Sequence, residues 1–226
     1  MAAHAKYLIN LASPNGELRD RSAHAPAREL VAAGTLGLEV IVVHAGSHAG
    51  EGEGRGMDRL AGGLDRAREL AARFAGASGR VAGPVVENSV GAGTQLCSTF
   101  QALSRVVRHA GVRVCLDTAH VFVAGYDLAT PDEARLLAQE LESAVGSAVA
   151  AVRLNDARSG LGSHREGHTK IGEGQISRES WAGLFAGLPG IPMVMETPYG
   201  GSEADAEEVR LVKELAGGLR DAPDGI

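Results

Sequence analysis

The stretch "RVCLDTAHVFVAGYD", residues 113–127, decides how the chain is read. An apolar run from Val112 to Leu116 stops at Asp117; His120 follows, and Val121, Phe122 and Val123 resume the apolar character. A short run of this kind is the pattern of a strand covered on both faces, as in a parallel sheet. A single carboxylate closing such a strand is an ordinary helix cap or turn former. The same ending recurs along the chain, and the recurrence is informative.

"LEVIVVH" (38–44), "GPVVEN" (83–88), "AVAAVRLND" (148–156) and "IPMVMET" (191–197) read as further buried strands. Helical patterns lie between them. "MDRLAGGLDRARELAARFAG" (57–76) has apolar residues at three- and four-residue spacing, and "STFQALSRVVRHAG" (98–111) opens on Ser/Thr and closes on Gly. "TPDEARLLAQELESAVG" (130–146) begins with a Thr cap, Pro and acids, "SRESWAGLFAGL" (177–188) begins at Ser177, and a last amphipathic helix covers roughly 202–218. "GEGRG" (52–56) does not follow a strand and reads as a flexible loop, so no glycine-rich phosphate fingerprint supports an open doubly wound sheet.

Strands alternating with helices imply parallel βαβ units. His44, Glu87, Asp117, Asn155 with Asp156, and Glu196 all fall at C-terminal strand ends. In a (β/α)8 barrel those ends meet on one face, where the active site is built. The expected fold is therefore an α/β TIM barrel, one domain over residues 1–218 with a loose tail at 219–226.

The 226 residues, 44% hydrophobic, suffice for one large core. A net charge of −6 argues weakly against nucleic acid, but bound cations would offset a carboxylate cluster and reverse that reading. Cys97 and Cys115 have no spacing partner and are expected to be reduced and buried. The chain has neither a bilayer-length apolar run nor a leader layout, so a cytoplasmic location away from membranes is expected.

The chemistry-bearing residues are His4, His44, Glu87, Asp117, His120, Glu166, His168 and Glu196. Nitrogen and oxygen donors in this mixture suit zinc, or manganese where carboxylates dominate. The set is too large for one ion and suits two or three, with Glu87 placed to bridge. Clustered metals stabilise both attacking and leaving oxygens in phosphoryl transfer. His24 and His109 fall on helices, while His48 and His164 lie in loops beside the cluster, with a supporting part at most.

"HAKYLINLASP" (4–14), "HAGSH" (44–48), "VVENSVGAG" (85–93), "CLDTAHVFVAGYDL" (115–128), "LNDARSGLGS" (154–163), "IGEGQI" (171–176) and "METP" (195–198) together resemble the blocks of the endonuclease IV family of trinuclear-zinc TIM barrels. The resemblance covers nearly the whole chain. It implies a zinc-dependent DNA repair enzyme, with manganese as a further candidate ion, acting on double-stranded DNA that carries an abasic site, with no protein partner. His4 and His44 would hold a first ion, with Glu87 bridging to a second completed by Asp117 and Glu196. His120, Glu166 and His168 would hold a third, so that Asp117 and His120 serve different ions, and "FVAGYD" would shape the loop between them. A hydroxide bridging the first two ions would attack the phosphate 5′ to the lesion, leaving a 3′-hydroxyl and a 5′-deoxyribose phosphate. Tyr7 and Leu8 match positions that help to wedge the duplex open.

Two departures stand against that pattern. Arg153 occupies the position of a ligand histidine just before "LND", and a guanidinium, always protonated, cannot ligate zinc. Weakened occupancy of the second metal is expected, with Arg153 supplying positive charge to Asp117, Glu196 or a substrate phosphate. Glu166 stands where the family has Asp. The blocks also begin at what would be the third strand, so the first two βα units are missing; a start codon placed too late or a truncation is the expected reason, with a remnant dimerising through the open edge as the alternative. Two other function classes compete. A metal-dependent sugar isomerase or epimerase would use Glu87, Asp117 and Glu196 but leave four histidines without a purpose. A degenerate, non-catalytic remnant would bind little metal.

Overall fold

The computed structural model describes residues 2–6, 9–77 and 79–217. Tyr7, Leu8 and the tail expected at 219–226 lie outside the described residues.

Six parallel strands form one sheet: β1 (Ala2–His4), β2 (Val40–His44), β3 (Gly83–Glu87), β4 (Arg113–Asp117), β5 (Val149–Leu154) and, with two intervening short strands counted, β8 (Met193–Met195). They are neighbours in that order, so each new strand is laid beside the last one, and β1 and β8 are the edges. The short pair β6 (Asp156–Ala157) and β7 (His168–Thr169) is antiparallel and stands apart from the sheet. Helices α1 (Gly16–Thr35), α2 (Glu53–Ala75), α3 (Phe100–Ala110), α5 (Pro131–Val145), α6 (Ser180–Gly187) and α7 (Ser202–Gly217) connect the strands, with the short α4 (Thr118–Ala124) following β4 directly. This is a TIM-barrel architecture, with six parallel strands among the described residues.

Strand parity explains the placement of the site. Ile41, Val43, Val86, Val114, Leu116, Val152 and Leu154 belong to the large core that the helices cover. Val40, Val42, Val85, Cys115 and Ala151, of opposite parity, form a separate small cluster on the inner face. Side chains alternate with period two along a strand. His44, Glu87, Asp117 and Arg153 therefore point inward too, one step beyond that apolar layer toward the C-terminal end. Register brings His44 opposite Glu87, Glu87 opposite Cys115 and Asp117 opposite Arg153.

Two of the three expected Ser/Thr helix starts are caps. Thr99 caps α3 and Thr130 caps α5, each side chain accepting a backbone N–H from the first turn. Three boundaries differ. "GEGRG" is not a loop: Gly52, at φ 94°, turns the chain and α2 starts at Glu53. Ser177 does not open α6, which begins at Ser180, because Ser177 instead accepts the Ser180 N–H and hydroxyl on its carbonyl. "FVAGYD" is not all loop: Phe122, Val123 and Ala124 end helix α4, whose first turn Asp117 caps by accepting the His120 N–H at 3.0 Å. Cys97 and Cys115 are both free and buried. Among the described residues no helix is long and apolar enough to cross a membrane.

Helices α5 and α6 approach through Gly183, where a Cβ would lie 2.1 Å from the Pro131 carbonyl oxygen. Alanine gains about 1 kcal/mol of helix propensity over glycine, but a clash with backbone cannot be relieved by a rotamer change, and overpacking costs up to about 3 kcal/mol. The clash wins, so Gly183→Ala should destabilise the protein by about 2 kcal/mol in urea denaturation. An equal or higher midpoint would show that the two helices can separate freely.

Candidate metal centre

Glu87 is the centre of the site. It ends β3, is fully buried, and its two oxygens face different partners. Oε2 lies 3.1 Å from His4 Nε2 and 3.4 Å from His44 Nδ1. Oε1 is paired with Arg153 Nη1 and lies 4.0 Å from His120 Nδ1. Burial alone would raise the Glu87 carboxyl, but the hydrogen bond from His4 and the positive potential of His120, Arg153 and His44 hold it at about 2. His44 titrates below the usual histidine value because burial disfavours its charged form more than Glu87 favours it.

A second group gathers around β4. His120 Nε2 lies 3.3 Å from His168 Nε2, and His168 Nε2 lies 3.7 Å from Asp117 Oδ2. Burial works against a charged His120 ring, but Asp117, Glu87, the Asn88 carbonyl and Glu166 outweigh it and raise the pKa. His168 is shifted down, chiefly by burial. Two residues outside the expected ligand set, Asn88 and the strand-end Asn155, hold this group in place. Asn88 accepts the Asp117 N–H at 2.6 Å, and its carbonyl accepts His120 Nδ1–H at 2.9 Å. Asn155 Nδ2 donates to Asp117 Oδ2 at 2.7 Å. Their adjacency to Glu87 and Asp156 in "VVEN" and "LND" was the available signal, since amides beside strand-end acids are suited to orienting them.

The two sets His4, His44, Glu87 and Asp117, His120, His168 each present ligand atoms within 4.8 Å of one another. A tetrahedral ion with bonds of about 2.0–2.1 Å sets its ligand atoms about 3.3 Å apart, close to the 3.1, 3.4 and 3.3 Å separations here. The ring tautomers agree. A carbonyl can only accept, so His4 Nδ1 donates to Ala5 at 2.7 Å and His120 Nδ1 to Asn88, leaving each Nε2 as the ligand atom. The donor chemistry fits two divalent ions.

The remaining expected site residues fall as follows. Asp117 joins His120 and His168, not Glu196. Glu166 is outside both sets and lines an open pocket of about 180 Å³ with His44, His120, Asn10 and Ser47. Glu196, just past β8, is paired with Arg153 Nη2 and is half-exposed. Arg153 thus spans Glu87 and Glu196. His48 accepts the Gly52 N–H, and His164 bonds the Val90 carbonyl at 2.7 Å, so both brace loops beside the site.

A six-stranded parallel barrel wall with acids and histidines gathered at its C-terminal strand ends defines a class, and residues 1–221 match the family described as Xylose isomerase-like TIM barrel. Within that class, this chain belongs to the endonuclease IV family. It is 35% identical over 219 residues to the probable endonuclease 4 of Haloarcula marismortui, covering 95% of this chain and 76% of that one. To the probable endonuclease 4 of Oleidesulfovibrio alaskensis it is 38% identical over 224 residues, 94% of this chain and 73% of the relative. The crystal structure of endonuclease IV from Thermus thermophilus superposes with a TM-score of 0.79 at 33% identity, over 98% of this chain and 76% of that one. A D-tagatose 3-epimerase-like protein shares the fold at 21% identity, with a TM-score of 0.73 over 97% of this chain and 79% of its own.

Proposed function

We propose that this protein is a metal-dependent DNA repair endonuclease that cleaves the phosphodiester 5′ to an abasic site in duplex DNA. Water adds to the phosphorus, the bond to the 3′ oxygen breaks, and the products are a 3′-hydroxyl and a 5′-deoxyribose phosphate. The observation that carries this reading is the pair of histidine–carboxylate sets meeting along one wall in a chain of this family. His4, His44 and Glu87 would hold one ion, and Asp117, His120 and His168 another; Glu166 contributes negative charge beside the second. Bound divalent metal supplies Lewis-acid charge to the phosphoryl oxygens.

The protein's own residues prepare the site. The Ala5 and Asn88 carbonyls set the His4 and His120 rings, and Asn88 with Asn155 fixes Asp117. Zinc fits the mixture of nitrogen and oxygen donors, with manganese the second choice. Bound cations also answer the acidic net charge of −6, because they make the local field attractive to a phosphate. Tyr7 and Leu8 are proposed to meet the duplex, and the cytoplasm is the proposed location.

The test is single-turnover nicking of a duplex carrying one abasic-site analogue, with and without chelator. Cleavage on the 5′ side that chelator abolishes and added zinc restores is the expected result. Intact DNA after incubation with folded, metal-loaded protein would overturn the reading and favour a non-catalytic remnant. Turnover of a ketose by the same preparation would favour an isomerase or epimerase.

A further inference from the structure

We infer that Arg153 is a built-in cation that occupies the middle of the metal centre, so that the protein holds two metal ions per chain and no third. This rests on the metal-dependent reading above. Its guanidinium joins Glu87 Oε1 through Nη1 and Glu196 Oε2 through Nη2. Glu87 Oε2, on the other side of the same carboxylate, belongs to the His4–His44 set. The carboxylate is therefore shared between a metal site and a guanidinium, where a bridging carboxylate would otherwise join two ions.

The two ligand sets that remain complete omit both Arg153 and Glu196. Asp117, the other acid available for a middle ion, belongs to the set of His120 and His168: Oδ1 accepts the His120 N–H, and Oδ2, 3.7 Å from His168 Nε2, accepts Asn155 Nδ2. An ion between Glu87 and Glu196 would thus have to displace a side chain that cannot lose its charge. The backbone also commits Arg153 to this place. It lies inward on β5, in register with Asp117 on β4 and with Val194 on β8, two residues before Glu196. The consequence is a centre in which one positive charge is covalently tethered and cannot be removed by a chelator. Glu196 then serves to position Arg153 and is not a ligand.

Metal content reads this without reference to activity. Wild-type protein loaded with excess zinc and desalted should contain two zinc ions per chain by elemental mass spectrometry. Arg153→His should contain three, because the new imidazole faces Glu87 and Glu196. Glu196→Gln, a change at a half-exposed side chain that folding should tolerate, should keep two. Three ions in the wild type, two in folded Arg153→His, or one in Glu196→Gln would each overturn the inference. A wild-type protein that holds two ions but fails to nick would count against the proposed activity alone.

Discussion

Glu87→Gln should lower single-turnover nicking of an abasic-site duplex by at least ~10³-fold, the loss expected when a metal ligand and the charge it organises are removed together. The amide keeps the size of the side chain but loses its charge. His4 and His44 then lose the anion that completes their set, and Arg153 is left with Glu196 as its ion-pair partner among the described residues. The same variant should bind less zinc while keeping the wild-type far-ultraviolet circular dichroism. A nicking rate within threefold of wild type would remove Glu87 from the centre of the mechanism.

Asp156→Ala should destabilise the protein by about 3–5 kcal/mol, which lowers the melting temperature by roughly 10 °C for a chain of this size. Asp156 is fully buried in β6, and its two oxygens accept four backbone N–H groups, from Ala157, Gly172, Gly174 and Ile176, at 2.8–3.0 Å. Truncation leaves the buried Ala157 and Ile176 N–H groups without partners, at about 1–3 kcal/mol each, while those of the exposed Gly172 and half-buried Gly174 can turn to water. The effect should reach the metal centre as well, because Ala157 pairs with His168 across β6 and β7. Asp156→Asn, which keeps one acceptor oxygen, should fall between the two. A loss below 1 kcal/mol for the alanine variant would mean that water replaces the carboxylate at no cost.

Much of the barrel was readable from single segments. Val-rich runs bounded by glycines marked β2, β3 and β4 to within two residues, and Thr99 and Thr130 marked the starts of α3 and α5, because capping is a contact between near neighbours in sequence. The α2 start was misread because it depends on the backbone turn at Gly52, which leaves no trace in hydrophobic spacing. The stretch after Asp117 was misread for a different reason. Its apolar run is helical because it packs under the site, and Ala119, Val121, Phe122 and Val123 are buried on nearly all sides, so no amphipathic period shows.

The site divides along the same line. From the sequence alone came the acids and histidines at strand ends, each a property of one segment, and from the family resemblance came the anomaly of Arg153; their inward parity follows from the period-two strand once the two core clusters are seen. The tertiary structure alone decided the partition among them: Asp117 with His120 and His168, Glu196 with Arg153, and Asp156 clamping the loop that follows His168. Which side chains from different strands share a charge is set by the stagger between strands and by the rotamer each carboxylate adopts among its hydrogen-bond donors. Those are contacts between residues far apart in the chain, and no single segment encodes them.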